Sequence, residues 1–188
     1  YTGTAVNRGA VEAPISEDEL VAAQRYLKAN HGKHITQMIA PSDKIATEPV
    51  APAFIAFGST LFENDLRGLS EFTVREKYSN FKPVSDYEIG KFQDIRFILT
   101  PQLDGFFGAG SANTTGVLSR DGTNVDVYPL VIVAKEAYAV TALKGMESVW
   151  LYVKNPEASE SDPLAQRGFV SWKMWYVATI LNNEWMVR

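Results

Sequence analysis

Residues 52–58 read Pro52-Ala53-Phe54-Ile55-Ala56-Phe57-Gly58, an apolar run closed by a proline and a glycine. A run this short between two breakers predicts a short apolar strand. Just downstream, Thr60-Leu61-Phe62-Glu63 has capping-box spacing, with a hydroxyl and a carboxylate three residues apart able to satisfy free amides of a first helical turn. It predicts a short helix ending near Gly68. Upstream, Pro41, Pro49 and Pro52 argue against a long helix between Ile35 and Pro52. Earlier still, Ser16-Glu17-Asp18-Glu19 repeats the capping box, and its acidic residues suit the positive end of a helix dipole. Leu20, Ala22, Ala23, Tyr26 and Leu27 then form a helical stripe that Gly32 stops. Residues 1–15 have no clear period and read as an extended arm or frayed start.

Further along, Phe72 to Val84 reads as irregular or weakly extended. Phe92-Gln93-Asp94-Ile95-Arg96-Phe97-Ile98-Leu99 reads as a strand that becomes more buried toward its end. Residues 101–124 are rich in Gly, Ser, Thr and Asn and predict a long loop; loops of that length in a compact domain usually have a role. Val125 to Val133 predicts a strand whose Pro129 implies an edge or a bulge. Lys135 to Leu143 suggests a short helix, Ser148 to Val153 a strand, and residues 154–168 a polar connection. Phe169 to Leu181 is apolar on both faces and reads as one long buried strand, although periodicity alone does not separate it from helix. On that reading Trp172, Trp175, Tyr176, Ile180 and Leu181 are core, and Trp172→Ala costs roughly 3–5 kcal/mol. Strands and helices mix without strict alternation, so the expected class is α+β. No internal repeat is visible.

A chain of 188 residues can hold one core, or two small lobes sharing one. Its 46% hydrophobic and 12% aromatic content are globular values that exclude a disordered linker. No window approaches the ~18 apolar residues of a membrane span. The start, Tyr1-Thr2-Gly3-Thr4, lacks both an initiator Met and a signal pattern, and reads as a processed or partial product. Cysteine is absent, which removes disulfides, Cys-type zinc sites, thiol nucleophiles and iron–sulfur clusters. The 18 Lys and Arg are scattered among 22 Asp and Glu, for a net charge of -4. Tight nucleic-acid binding needs a clustered basic surface, and none is visible.

The residues that invite chemistry each have a plainer reading. His31 and His34 lie three apart, but Gly32 separates them at a helix end and no acidic ligand motif accompanies them. No Gly-x-Ser-x-Gly elbow supplies a hydrolase nucleophile. Gly105-Phe106-Phe107-Gly108-Ala109-Gly110 has the wrong order for a dinucleotide loop and no Lys-Ser/Thr follows it. Asn113-Thr114-Thr115 is a glycosylation triplet only in a secreted protein. Asp86 with Glu88, and Glu157, Glu160 and Asp162, stand in polar, turn-rich stretches typical of solvated surface. Trp172, Trp175 and Tyr176 have only Lys173 beside them, too little charge for a single-strand groove, so core or subunit interface is the better reading. The expected catalytic, cofactor-binding and metal residues are none.

The order of several blocks resembles a family of tailed-phage major capsid proteins typified by an enterobacterial podovirus. The stretch Ser42-Asp43-Lys44-Ile45-Ala46-Thr47-Glu48-Pro49-Val50-Ala51-Pro52-Ala53-Phe54-Ile55-Ala56 is similar to one of its characteristic segments. Asp65-Leu66-Arg67, the Phe72 to Tyr78 segment, Glu88-Ile89-Gly90 and Arg96-Phe97-Ile98 follow in family order. So do Val127-Tyr128-Pro129, Lys135-Glu136-Ala137-Tyr138 and, most specifically, Asp162-Pro163-Leu164, Gln166-Arg167-Gly168, Trp172-Lys173, Ile180-Leu181-Asn182 and Trp185-Met186-Val187-Arg188. Together these cover roughly residues 16–188.

The resemblance implies an HK97-like fold with peripheral and axial domains over residues 16–188, and the family's N-terminal arm and long hairpin missing or truncated. It implies a non-enzymatic virion protein, made in a bacterial cytoplasm, that self-assembles into hexamers and pentamers of an icosahedral head. Scaffold, portal or decoration proteins are implied partners, and genomic DNA is enclosed without tight binding. Residues 102–124 are then expected near a capsomer axis, flexible through their glycines, with Phe106 and Phe107 as subunit-interface anchors. Two other classes stay open: a small-ligand-binding or catalytic α+β domain with residues 102–124 as a lid, and a nucleic-acid-binding module.

Overall fold

The computed structural model describes residues 5–39, 47–78, 83–113, 118–142, 149–158 and 160–188. Residues 1–4 of the expected arm, 42–46 of the quoted capsid-like stretch and 79–82 of the expected irregular segment lie outside the described residues. So do 114–117 of the loop, Leu143 of the expected helix and Ser148 of the expected strand.

Helix α1 (Glu17–Ala29) begins where its capping box predicts. The Glu19 carboxylate accepts the Ser16 amide at 2.8 Å and also takes the Ser16 hydroxyl. Strands β1 (Ile35–Ile39) and β2 (Thr47–Ser59) follow, then a 3-10 turn at Thr60–Phe62 and helix α2 (Glu63–Arg67). The predicted short apolar strand is thus only the C-terminal part of β2. The strand runs back through both prolines because β1 pairs with it irregularly, Ile35 opposite Ala53 but Gln37 opposite Pro49. The slip absorbs Pro52, a residue that cannot donate to a regular ladder.

Three further strands, β3 (Phe72–Val74), β4 (Glu88–Phe92) and β5 (Ile95–Thr100), complete one side of the sheet, and β6 (Val131–Val133) and β11 (Met186–Val187) the other. The order is β11-β6-β2-β5-β4-β3, with β1 also on β2. Only β2 and β5 run parallel; the remaining pairs are antiparallel. The class is α+β, mostly sheet with few helices. The single strand expected over residues 92–99 is instead two, hinged at Gln93-Asp94, where Gln93 takes φ 48°. The strand expected from Val125 shrinks to Val131–Val133, and Phe72 to Val84 holds a three-residue strand and a 3-10 turn at Arg75–Lys77.

The core lies on both faces of this sheet. Leu20, Ala23 and Leu27 of α1 pack with Phe54, Ala56, Phe92, Phe97 and Leu99 on one face, and Leu66 of α2 joins them. Ile35, Ile55, Ile98, Val133 and Ala137 form a second cluster. Burying successive residues of β5 explains its unbroken apolar character, since neither face meets water. Arg96 in that strand is buried, and its Nε lies 3.7 Å from the equally buried Glu88 carboxylate. Glu88 also accepts the Tyr78 hydroxyl at 2.8 Å and the Val84 amide at 2.5 Å. Burial and the bond to Glu88 hold the Tyr78 phenol protonated well above its usual range. The pair of carboxylates considered as Asp86 with Glu88 is therefore split: Asp86 is exposed, whereas Glu88 is a satisfied structural charge.

Candidate functional site

Beyond the sheet the chain forms a two-stranded ribbon. Strand β7 (Tyr138–Ala142) pairs antiparallel with β10 (Tyr176–Ile180), and β8 (Trp150–Lys154) with β9 (Phe169–Lys173). At its base the Leu181 and Asn182 amides donate to the Ala137 carbonyl at 2.9 and 3.3 Å. Two expectations fall here. The described residues 135–142 of the expected helix are not helical: a turn with Glu136 at φ 65° leads into β7, whose partner is β10. Phe169 to Leu181 is not one buried strand but β9 and β10, broken at Met174-Trp175 and exposed throughout. Hydrophobicity was read as burial, but no second layer covers these strands among the described residues.

Directly opposed residues in an antiparallel pair share a face. In the distal half one face therefore carries Leu151, Trp172, Val153 and Val170, exposed by 71, 69, 66 and 73%. The other face alternates Trp150, Tyr152 and Phe169 with Lys173, Ser171 and Lys154, and the Lys173 ammonium sits 4.7 Å from the Trp175 ring. In the proximal half Tyr138, Val140, Tyr176, Ala178 and Ile180 share a face. Trp172, Trp175, Tyr176, Ile180 and Leu181, expected in the core, are all exposed large hydrophobics. The readable signal was a pair of equal apolar runs around a polar connection, the pattern of a hairpin.

The described part of the 102–124 loop is bound rather than loose. Phe106 pairs antiparallel with Val127, the Gly110 amide donates to Val125 at 2.9 Å, and Asn113 to Thr123 at 2.9 Å. Buried Asp126 takes the Gly108 amide on one oxygen at 2.7 Å and the Arg120 amide on the other at 2.8 Å. The glycines serve geometry here: Gly108 has φ +59°, and a Cβ at Gly110 would lie 2.8 Å from two carbonyl oxygens. Asp121 is held below its usual pKa by the Thr123 amide and the Ser119 hydroxyl. The first segment is tied in at Val11, which is buried and whose carbonyl accepts the Ser111 amide at 3.0 Å.

Phe106 and Phe107 remain 39 and 50% exposed. The Arg8 guanidinium lies 3.6 Å from the Phe106 centroid and that of Arg120 4.7 Å from Phe107. Tyr128 meets the Phe107 ring edge-on at 6.4 Å. Sequence reasoning singled out the two phenylalanines and missed Arg8, Arg120 and Asp126, which are remote or inconspicuous in sequence. Below the loop lies a mostly apolar groove of about 520 Å³ lined by Val11, Ile15, Leu20, Phe62 and Leu130. Asp65 also faces it, its pKa raised by desolvation.

The histidines do not converge on a site. His31 is exposed at φ 59°, while His34 packs edge-on against Phe54 at 4.5 Å and stands 3.8 Å from Asp94. Asp94 accepts Lys28 at 2.8 Å and Gln24 at 3.0 Å, which lowers its pKa through the Lys28 bond first, against some desolvation. Among the described residues no cluster of three or more His, Cys, Asp or Glu could hold a metal, and no helix is long and apolar enough to cross a membrane.

No protein-family model matches the chain. The chain is similar to the major capsid protein of Pseudomonas phage KPP21, at 26% identity over 202 aligned positions. The match covers 99% of this chain and 51% of that protein, so the chain spans about half the length of this curated relative. The likeness extends to a phage capsid protein and does not single out an enterobacterial type.

Proposed function

We propose that the chain is a structural, non-enzymatic subunit that self-assembles into the icosahedral head of a tailed phage and encloses its DNA. The observation that carries this reading is the apolar ribbon. Large apolar side chains stand exposed along it, with Leu151, Val153, Val170 and Trp172 together on one face, and large exposed apolar patches mark interaction sites. An assembling subunit has an abundant source of cover in its own copies. The similarity to a capsid protein along nearly the whole chain supports the same reading.

On this proposal the fold is HK97-like, with the sheet and its loop as the axial part and the ribbon as the peripheral part. The contacts are heterologous, a patch on one copy meeting a different patch on the next, which closes rings of five and six. Phe106 and Phe107 are contact residues near the ring axis, and scaffold, portal or decoration proteins are further partners in the virion. The net charge of -4 suits a wall that faces DNA without adhering to it.

A second reading has one observation in its favour: the groove beside the loop holds Asp65 with a raised pKa, as a ligand site does. Electron microscopy and sizing of the purified protein separate the two. Shells, tubes or hexamers are expected from the capsid reading; a strict monomer that binds a metabolite would overturn it.

A further inference from the structure

We propose that the outer edge of β9 pairs antiparallel with the same edge of β9 in a second copy of this chain, about a two-fold axis through Ser171. The inference rests on the shell-building reading, which supplies the copies, and adds a contact to it. Among the described residues β8 and β9 form a sheet of two strands, so each has an outer edge with no neighbour. A lone two-stranded ribbon is marginally stable in water, and an open edge offers a row of unpaired amides and carbonyls. Folded monomers guard such edges with short strands, prolines and bulges. The central sheet follows that rule, since its terminal strands β3 and β11 have only three and two residues. β9 is built otherwise. It runs five residues in unbroken register, and no proline stands within five residues of either end. The β8 edge is less open, because Pro156 follows two residues after its end and Lys154 lies 3.8 Å from Glu157.

The strand is complementary to itself. A two-fold contact sets residue i of one copy opposite j of the other, and j opposite i. About Ser171 the opposed pairs are Val170 with Trp172 and Phe169 with Lys173, while Ser171 meets its own copy. The first pair sets a β-branched residue against an aromatic one, and the second sets a ring against a cation. No like charges face each other. Leu151 and Val153 share the face of Val170 and Trp172. The joined four-stranded sheet, in the order β8-β9-β9-β8, therefore carries one continuous apolar face across the axis. The contact is isologous, and in a shell it joins neighbouring rings, unlike the heterologous contact that closes each ring.

The test exploits the absence of native cysteine. Ser171→Cys alone, Tyr152→Cys alone, and Val170→Cys mixed with Trp172→Cys are assembled, treated with oxidised glutathione and run on non-reducing gels. All four positions are exposed, so melts of the unassembled variants are expected to match wild type. Directly opposed residues of an antiparallel pair lie about 4.5–5.5 Å apart between Cα atoms, within disulfide reach. Ser171→Cys is expected to give covalent dimers at least tenfold above Tyr152→Cys. Val170→Cys and Trp172→Cys are expected to link to each other and hardly to themselves, because like residues sit diagonally, about 7–8 Å apart. Positions 171 and 170/172 point to opposite faces of the ribbon, so stacking of one face on another links only one set and overturns the proposal. Wild-type particles without a Ser171→Cys dimer, or with the dimer at Tyr152→Cys instead, also overturn it and leave the shell reading intact. No particles or oligomers from wild type overturns both.

Discussion

Phe97 in β5 and Trp172 in β9 are both large aromatic residues within strands, yet Phe97 is wholly buried and Trp172 is among the most exposed side chains of its type. The difference lies in what faces them. Phe97 has α1 and neighbouring strands above it; Trp172 has a single paired strand beside it and nothing over its face among the described residues. Hydrophobicity says that a residue will be covered, and topology says whether its own subunit provides the cover.

That contrast is breakable by mutation. The largest effect is expected at Phe97→Ala, about 3–5 kcal/mol of subunit stability in denaturant melts, from lost transfer energy plus a cavity. A loss under about 1 kcal/mol there would mean that the core sheet is not what holds the subunit. Glu88→Leu comes next, about 3 kcal/mol, because it removes the buried carboxylate that faces Arg96 and leaves the Tyr78 hydroxyl and the Val84 amide without their acceptor. Asp94→Ala is smaller, about 0.5–1 kcal/mol after solvent screening, because its side chain is 45% exposed.

Asp94 also carries a pH signature. Its folded pKa is depressed, so its contribution is fully present above its unfolded value near 4 and fades as pH falls through the lower folded value. The difference in melting between wild type and Asp94→Ala is expected to be constant from neutral pH to about 5 and to vanish on further acidification. The smallest effect on subunit stability is expected at Trp172→Ser, within about 0.5 kcal/mol, as for surface sites generally. The same substitution is expected to reduce particle yield sharply on electron micrographs. A stability loss approaching that of Phe97→Ala would erase the distinction between the two regions.

Much of the central sheet could be read from sequence, and the reasons are local. The Ser16 capping box, the stripe through Leu20 and Leu27 and the Phe54 run encode their elements within a few residues, whereas the turn after β2 is capped by Ser59 and not by the expected Thr60. The ribbon was not legible in the same way. Residues 170, 172, 174, 176, 178 and 180 are Val, Trp, Met, Tyr, Ala and Ile, a period-two stripe, but Phe169, Trp175, Val177 and Leu181 fill the alternate positions and mimic a strand buried on both sides. Nothing local reports the absence of a covering layer. At the loop, Phe106 and Phe107 stood out by size, whereas Asp126 and Arg8 acquire their roles from partners distant in sequence.

The ribbon also makes this protein its own spectroscopic probe. Of the four tryptophans, Trp150, Trp172 and Trp175 lie on the ribbon and Trp185 packs against the core. Ultraviolet emission therefore reports mainly the polarity around those three indoles. A blue shift that develops with protein concentration, in step with light scattering, would time the covering of the ribbon without any label.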